Sequence, residues 1–130
     1  MNDDIVYKLF PEPIFKYKLN NFENLNKELS KYIYKLRDED NEGLKKSNKG
    51  GWHSKPFRLE IEGSIQQTFA KEIQKNILDV FQKYGWKTKN VPITIQEMWA
   101  IINKNDDFNV LHSHPNCYLS AAYYVKAPKN

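Results

Sequence analysis

Two stretches of the chain repeat apolar residues at intervals of three and four positions, which is the spacing of an amphipathic helix. The stripe of the first, about residues 22–38, consists of Phe22, Leu25, Leu29, Ile33 and Leu36. The stripe of the second, about residues 64–84, consists of Ile65, Phe69, Ile73, Ile77, Val80, Phe81 and Tyr84. Asn20 and Asn21 suit the start of the first helix, and Gly85 suits the end of the second. The pattern therefore predicts two helices that each bury one face.

Other stretches are rich in β-branched and aromatic residues, which favours extended strands. Residues 5–19 predict an opening pair of strands, and Pro11 and Pro13 indicate a bend or an edge position. After Pro92 the helical period is lost, and strands are predicted at 93–102, 110–114 and 119–125. Residues 38–51 and 103–109 are polar and rich in turn residues, so they predict loops. Helices followed by strands predict an α+β fold.

Composition narrows the class of protein. A chain of 130 residues predicts one domain, 1–130, with a helical region at about 1–90 and strands at about 91–130. No apolar run is long enough for a membrane span, and the acidic N-terminus predicts no signal peptide. The single cysteine, Cys117, fits a reducing cytoplasm. The net charge is +4, but the basic residues are nearly all dispersed lysines, so nucleic-acid binding is not favoured.

Candidate chemistry lies at two histidines, His112 and His114, in an extended segment. Alternate residues of an extended chain point to the same side, so both imidazoles can reach one metal ion. Pro115 restricts the backbone directly after them. Spacing alone leaves a second interpretation equally open, a pair of loop histidines without a metal, because two ligands do not hold a catalytic metal.

The residues around this pair form an ordered series. The series is Gly50-Gly51-Trp52-His53-Ser54, then Trp99 and Asn103, then His112-x-His114-Pro115-Asn116-x-x-Leu119-Ser120-x-x-Tyr123-Tyr124-Val125-x-x-Pro128. It closely resembles a family of 2-oxoglutarate/Fe(II) oxygenases found in marine bacteria and their phages. The resemblance covers nearly the whole chain and is strongest from Trp99 to Pro128. The chain is also similar, more distantly, to prolyl-hydroxylase-type oxygenases, in which His-x-Asp precedes a Tyr-Tyr strand.

This resemblance implies a fold and an activity. The fold would be N-terminal helices packed on a partial double-stranded β-helix, or jelly-roll. The activity would be that of a dioxygenase, a hydroxylase that uses O2, Fe(II) and 2-oxoglutarate. His112 corresponds to the first iron ligand. His114 occupies the carboxylate position of the distant relatives, so that it either binds iron as an imidazole or only lines the site.

The same resemblance implies a co-substrate site. Asn103, Ser120 and Tyr124 would bind 2-oxoglutarate, with Tyr124 on its distal carboxylate. A turn role for Asn103 and a core role for Tyr124 are equally open. For Trp52 and Trp99, packing in the core or anchoring a loop is favoured over a substrate role. His53 has no spacing that makes it a ligand, and Cys117 is interpreted as a structural thiol.

Two expected features of the family, a distal histidine ligand and a basic residue for 2-oxoglutarate, have no counterpart in the sequence. The expectation is therefore a fragment of the full oxygenase, with a small molecule or a peptide as its substrate. One alternative is a non-catalytic jelly-roll or cupin-like module that binds a metal or another ligand. Another is an interaction protein, including a homo-oligomer formed through exposed strand edges.

Overall fold

The computed structural model describes residues 12–128. They contain two helices, α1 (Phe22–Glu39) and α2 (Ile65–Lys83), and four short strands, β1 (Asn48–Lys49), β2 (Trp52–His53), β3 (Ile101–Ile102) and β4 (Phe108–Asn109). The α+β class predicted from the sequence is therefore confirmed. Within this part of the chain, no helix is both long enough and apolar enough to cross a membrane.

Both helices form where the apolar periodicity predicts them. At α2, the Ser64 hydroxyl accepts a hydrogen bond from the backbone N–H of Gln67 at 3.3 Å, which satisfies one free donor of the first turn. Gly85 follows α2 with a φ of +69°, a conformation that glycine adopts without steric cost. At α1, Asn21 precedes the first turn in a left-handed conformation and its side chain makes no capping hydrogen bond.

The two helices pack against each other and against an irregular β ladder. Their buried cluster comprises Leu29, Trp52, Phe57, Phe69, Ala70, Met98 and Ala100. Leu29, at the centre of the α1 stripe, is only 1 % exposed. The core thus combines the apolar face of each helix with one face of the ladder.

That ladder joins residues 47–57 to residues 98–110 in antiparallel fashion. β1 pairs with β4, and β2 pairs with β3. Hydrogen bonds from Val110 N–H to Ser47 and from Phe57 N–H to Met98 extend the pairing at both ends. Between the two strand pairs, one side has only Gly50 and Gly51, whereas the other has the five residues 103–107. The glycine turn therefore lies under a longer loop.

Several predicted strands are corrected by the structure. Of the strand at 93–102 only Ile101–Ile102 is regular, and residues 14–17, 110–114 and 119–125 are not strands. An extended segment is a strand only when a neighbour exchanges a regular series of backbone hydrogen bonds with it. Within residues 12–128, segments 14–17 and 119–125 make no such bonds, whereas 93–100 and 110–114 make only isolated ones, at Met98, Ala100 and Val110. Conversely, β1 lies within the predicted loop at 38–51. Residues 5–11 of the predicted opening strands are outside the described residues.

Residues 14–17 are attached to the rest of the molecule by side-chain contacts and not by strand pairing. Phe15 packs its ring edge against Tyr84 at a centroid distance of 5.5 Å. The Tyr17 hydroxyl donates a hydrogen bond to the Asp79 carboxylate at 2.6 Å. This segment is therefore attached to the end of α2 through side chains. Together the strand pairs are two small antiparallel sheets of two strands each, which do not by themselves define a jelly-roll.

Candidate metal centre

The β ladder presents two different faces because side chains alternate along an extended backbone. Trp52 and Ile102 are cross-strand neighbours, and both pack into the helical core. Their chain neighbours His53 and Ile101, also paired, therefore point to the opposite face. Trp99 lies on that second face as well, since Met98 and Ala100 on either side of it are buried in the core.

Four rings on this second face make successive contacts, and we call them the ring series. His53 stacks on Trp99 with a centroid distance of 5.6 Å and an interplanar angle of 13°. Trp99 contacts His114 at 5.7 Å and 30°. His114 in turn meets His112 at 4.8 Å and 72°. The series includes all three histidines of the chain.

The orientation of His112 is set by its own backbone. Its Nδ1 lies 2.8 Å from the carbonyl oxygen of Val110. A carbonyl can only accept, so Nδ1 carries the proton and the lone pair of the neutral ring is on Nε2. Histidines that bind metals usually donate their second ring N–H in this way. His112 is exposed, so its Nε2 is available to a ligand from solvent.

His114 is oriented differently. It is half-buried, and within residues 12–128 no hydrogen bond to its ring is found. The turn that follows contains Asn116 at a φ of +65° and returns the Cys117 N–H to the His114 carbonyl at 3.4 Å. This turn, rather than a regular strand, brings the His114 ring beside that of His112.

The separation of the two rings is compatible with two positions on one metal ion. Two imidazoles that meet an ion at right angles, with metal–nitrogen distances of about 2.1 Å, have ring centroids about 4.6 Å apart. The observed separation of 4.8 Å is close to that value. Among residues 12–128 there is no group of three or more His, Cys, Asp or Glu side chains that could hold a metal. The described residues therefore offer two candidate ligands, both of them imidazoles.

The three residues predicted to bind 2-oxoglutarate are exposed, and within residues 12–128 none of them forms a hydrogen bond with either histidine ring. Asn103 lies in the loop above the glycine turn, where its Oδ1 would be 2.5 Å from a Cβ on Gly51. Ser120 and Tyr124 lie on the outer side of an extended segment. The described residues thus give Asn103 a packing contact, while a co-substrate role for these three residues stays a prediction.

The segment that carries Ser120 and Tyr124 is attached to the core through its other side. Tyr123 packs against Phe69 at a centroid distance of 4.8 Å. Its hydroxyl donates a hydrogen bond to Asn26 Oδ1 at 2.7 Å. Burial raises the pKa of Tyr123, an effect that the hydrogen bond with Asn26 partly offsets. Tyr123 and Val125 are thus half-buried and Tyr124 between them is exposed, although no strand forms here.

The two tryptophans play different parts. Trp52 is buried and donates its indole N–H to the Asp40 carbonyl at 2.7 Å, which confirms the interpretation that it anchors a loop onto the core. Trp99 instead contacts His53 and His114. Sequence reasoning gave His53 no part in the site. The sequence did contain a signal for this contact. Side chains alternate along an extended backbone, so core positions for Trp52 and Met98 place their neighbours His53 and Trp99 on the opposite face of the ladder.

Comparisons with known proteins agree with this location. The model of a family described as "Putative 2OG-Fe(II) oxygenase", where 2OG is 2-oxoglutarate, matches residues 97–130. No curated protein and no solved structure matches the chain. The matched stretch includes Trp99 and both candidate ligands but excludes the glycine turn and His53. Residues 97–130 are therefore a partial match to the 2OG-Fe(II) oxygenase family, and the resemblance is confirmed for that part of the chain.

Proposed function

We propose that this chain carries part of the active site of a 2-oxoglutarate- and Fe(II)-dependent oxygenase, with His112 and His114 as iron ligands. The observation that carries the proposal is the hydrogen bond from His112 Nδ1 to the Val110 carbonyl. In the neutral ring this bond places the lone pair on Nε2, beside a second imidazole and in the segment that the family model matches. A reducing compartment such as the cytoplasm would keep both Fe(II) and the exposed thiol of Cys117 reduced.

The iron and 2-oxoglutarate, when bound, supply the oxidising chemistry that hydroxylates a C–H bond. The work of the protein is to hold and orient them. His112 provides one lone pair in a fixed tautomer. His114 provides a second uncharged nitrogen where distant relatives have a carboxylate, so the site has one negative charge fewer. That difference alters metal affinity and redox potential.

A three-ligand iron site needs one more protein ligand. We propose that this ligand and a basic partner for 2-oxoglutarate lie outside residues 12–128, on further strands that complete a jelly-roll. Leu111 and Tyr124 support this proposal, because they are 102 % and 77 % exposed on segments without strand partners. A second copy of the chain, paired through exposed strand edges, is the alternative source, and light scattering distinguishes a dimer from a monomer.

Metal binding is the first test. Anaerobic titration of the full chain with Fe(II), or with Co(II) as a spectroscopic substitute, should show one site that is lost in His112→Ala. Cys117→Ser is the matched control, because it removes an exposed nearby thiol that could bind the metal by itself. Binding that persists in His112→Ala but disappears in Cys117→Ser would contradict the proposal.

Co-substrate binding is the second test. Tyr124→Phe removes one hydroxyl from the exposed side of residues 119–125 and should weaken 2-oxoglutarate binding to the metal-loaded chain. Tyr118→Phe removes the same group from a tyrosine that is 83 % exposed and packs on Trp86, so it should have no effect. Equal affinities in the two variants and the wild type would argue against the role of Tyr124.

A non-catalytic metal-binding module is the second candidate. It is favoured by the finding that residues 12–128 bring two histidines together but no third ligand of the usual kinds. The two candidates differ in turnover. An oxygenase forms succinate from 2-oxoglutarate in a reaction that requires both Fe(II) and O2. A binding module takes up the metal with the same dependence on His112 and forms no succinate.

A further inference from the structure

The two candidate ligands are oriented by different means. The His112 ring is fixed by a hydrogen bond within its own segment, to Val110 two residues earlier. For the His114 ring, no hydrogen bond is found within residues 12–128. Its ring contacts are with His112 and with Trp99. Of these two rings, Trp99 is the one that belongs to the ladder.

Trp99 is held firmly by the ladder. The residues on either side of it are paired through their backbones, Ala100 with Ser54 and Met98 with Phe57. The Ser54 hydroxyl also accepts a hydrogen bond from the Ala100 N–H at 2.9 Å. The backbone at Trp99 therefore cannot shift without breaking bonds to a strand that is distant in sequence.

The ring of Trp99 is supported by His53. This imidazole is only 6 % exposed. Its Nδ1 donates a hydrogen bond to the Ser54 carbonyl oxygen at 2.7 Å, so the ring has one orientation. It stacks nearly parallel to Trp99. A buried, hydrogen-bonded ring thus lies against the indole that His114 contacts.

We propose that Trp99, supported by His53, is a positioning residue that orients the His114 ring toward the metal. The proposal rests on the proposed function in one respect, that His114 is a ligand. A side chain without a bonded partner rotates among its rotamers, and holding it in one of them costs conformational entropy when the metal binds. Contact with a fixed indole restricts the His114 ring when the protein folds, so that less conformational entropy is lost when the metal binds. It also leaves both nitrogens of the His114 ring free.

The first experiment needs no metal. Imidazole nitrogen signals of the full chain, labelled with ¹⁵N, are compared among the wild type and three variants. Trp99→Leu keeps an apolar side chain but removes the ring, whereas Trp99→Phe keeps a ring. His53→Asn keeps an N–H that can reach the Ser54 carbonyl but removes the stacked imidazole. His112 serves as the internal reference, since its hydrogen bond with Val110 does not involve Trp99.

We expect Trp99→Leu to move and average the His114 signals while those of His112 keep the Nδ1–H pattern. His53→Asn should move the His114 signals in the same direction by a smaller amount, and Trp99→Phe should restore them. His114 signals that stay unchanged in Trp99→Leu would overturn the proposal. Should Trp99→Leu fail to fold, unchanged His114 signals in a folded His53→Asn would overturn it equally.

The second experiment measures Co(II) affinity. Losing a group that supports a metal ligand typically weakens binding 10–100-fold, so Trp99→Leu should bind about tenfold more weakly, with Trp99→Phe close to the wild type. Equal affinity of Trp99→Leu and the wild type would contradict positioning. A wild-type chain that binds no Co(II) would contradict the proposed function instead. The metal-free signals of His114 would then still decide whether Trp99 orients the ring.

Discussion

The described residues divide into two regions of different construction. The helical body, residues 19–102, contains α1, α2 and the ladder as far as β3, around a buried cluster with Leu29 at 1 % exposure. The histidine segment, residues 103–128, carries both candidate ligands and exposes large side chains, Leu111 at 102 % and Tyr118 at 83 %. The buried core and the candidate metal ligands therefore lie in different regions.

The histidine segment is attached to the rest of the molecule at a few points. The Val110 N–H donates to the Ser47 carbonyl, and β4 pairs with β1. His114 contacts Trp99, and Tyr123 reaches α1 through Asn26. Segments with few buried contacts open more readily than a packed core. We infer that substitutions of buried core residues in the body mainly affect stability, whereas substitutions of His112 and His114 mainly affect ligand binding.

The largest effect is expected in the centre of the body. Leu29→Ala removes most of a fully buried side chain and should lower the free energy of unfolding by about 3–4 kcal/mol. Leu111→Ala makes the same chemical change at a fully exposed position and should alter it by less than about 0.5 kcal/mol. Urea denaturation followed by far-UV circular dichroism measures both. Similar losses in the two variants would remove the distinction between the regions.

The glycine turn, where the two regions meet, should give the next largest effect. Gly51 has a φ of +61°, and a Cβ there would lie 2.5 Å from Asn103 Oδ1 and 2.9 Å from the Ile102 carbonyl oxygen. Gly51→Ala should therefore cost about 2–3 kcal/mol, from backbone strain and from the clash.

Gly63→Ala is the matched control for the glycine turn. Its φ of +71° is similar, but a Cβ there would meet nothing within 4 Å. It should cost only the strain, about 1 kcal/mol. If urea denaturation gives both variants the same loss in the free energy of unfolding, the close approach of Asn103 and Ile102 to Gly51 does not contribute to the cost.

Two adjacent tyrosines provide a smaller and more local comparison. Tyr123→Phe removes the hydrogen bond to Asn26 and should cost about 1 kcal/mol. Tyr124→Phe changes a side chain that is 77 % exposed and should cost less than about 0.5 kcal/mol. Thermal unfolding of the two variants tests whether residues 119–125 are fixed through one side only. A larger loss in Tyr124→Phe would contradict that arrangement.

The same contrast explains how much could be predicted from the sequence. The helices were predictable because their apolar period is local, and Ser64 and Gly85 mark the ends of α2. The ladder was not, because its pairing joins residues far apart, as in the hydrogen bond between Ser54 and Ala100, 46 positions away. A strand prediction specifies an extended backbone but not its partner.

The candidate site was predictable to a similar extent. His112 and His114 were found because their motif is short and continuous in sequence. His53 was missed because its contact with Trp99 exists only once β2 and β3 have paired. The predicted roles of Asn103, Ser120 and Tyr124 came from the family resemblance and stay predictions. A motif within one segment can be recognised in the sequence, whereas a contact that depends on pairing with a distant strand cannot.

The smallest expected effect is a dependence of stability on pH that comes from the body. Asp40 follows α1, and Lys55 lies 2.9 Å from its carboxylate. This lysine, and secondarily the N–H of Gly43, lowers the pKa of Asp40 below its ordinary value of 3.8. A depressed pKa in the folded state means that the ionised carboxylate stabilises the fold above about pH 3.8. That contribution is lost as the pH falls through the lower, folded-state pKa.

Asp40→Asn isolates this contribution, because the amide oxygen can still accept the Gly43 N–H while the charge opposite Lys55 is gone. The wild type should unfold at a slightly higher temperature than Asp40→Asn at pH 6, and the two midpoints should converge as the pH falls below 3.8. Lys55→Gln should show the same convergence. Because Lys55 is exposed and Asp40 only half-buried, added salt should reduce the difference at pH 6. A difference that stays constant from neutral to acidic pH would contradict a role for the charge of Asp40, since the backbone contacts with Leu36 and Trp52 are the same in both proteins.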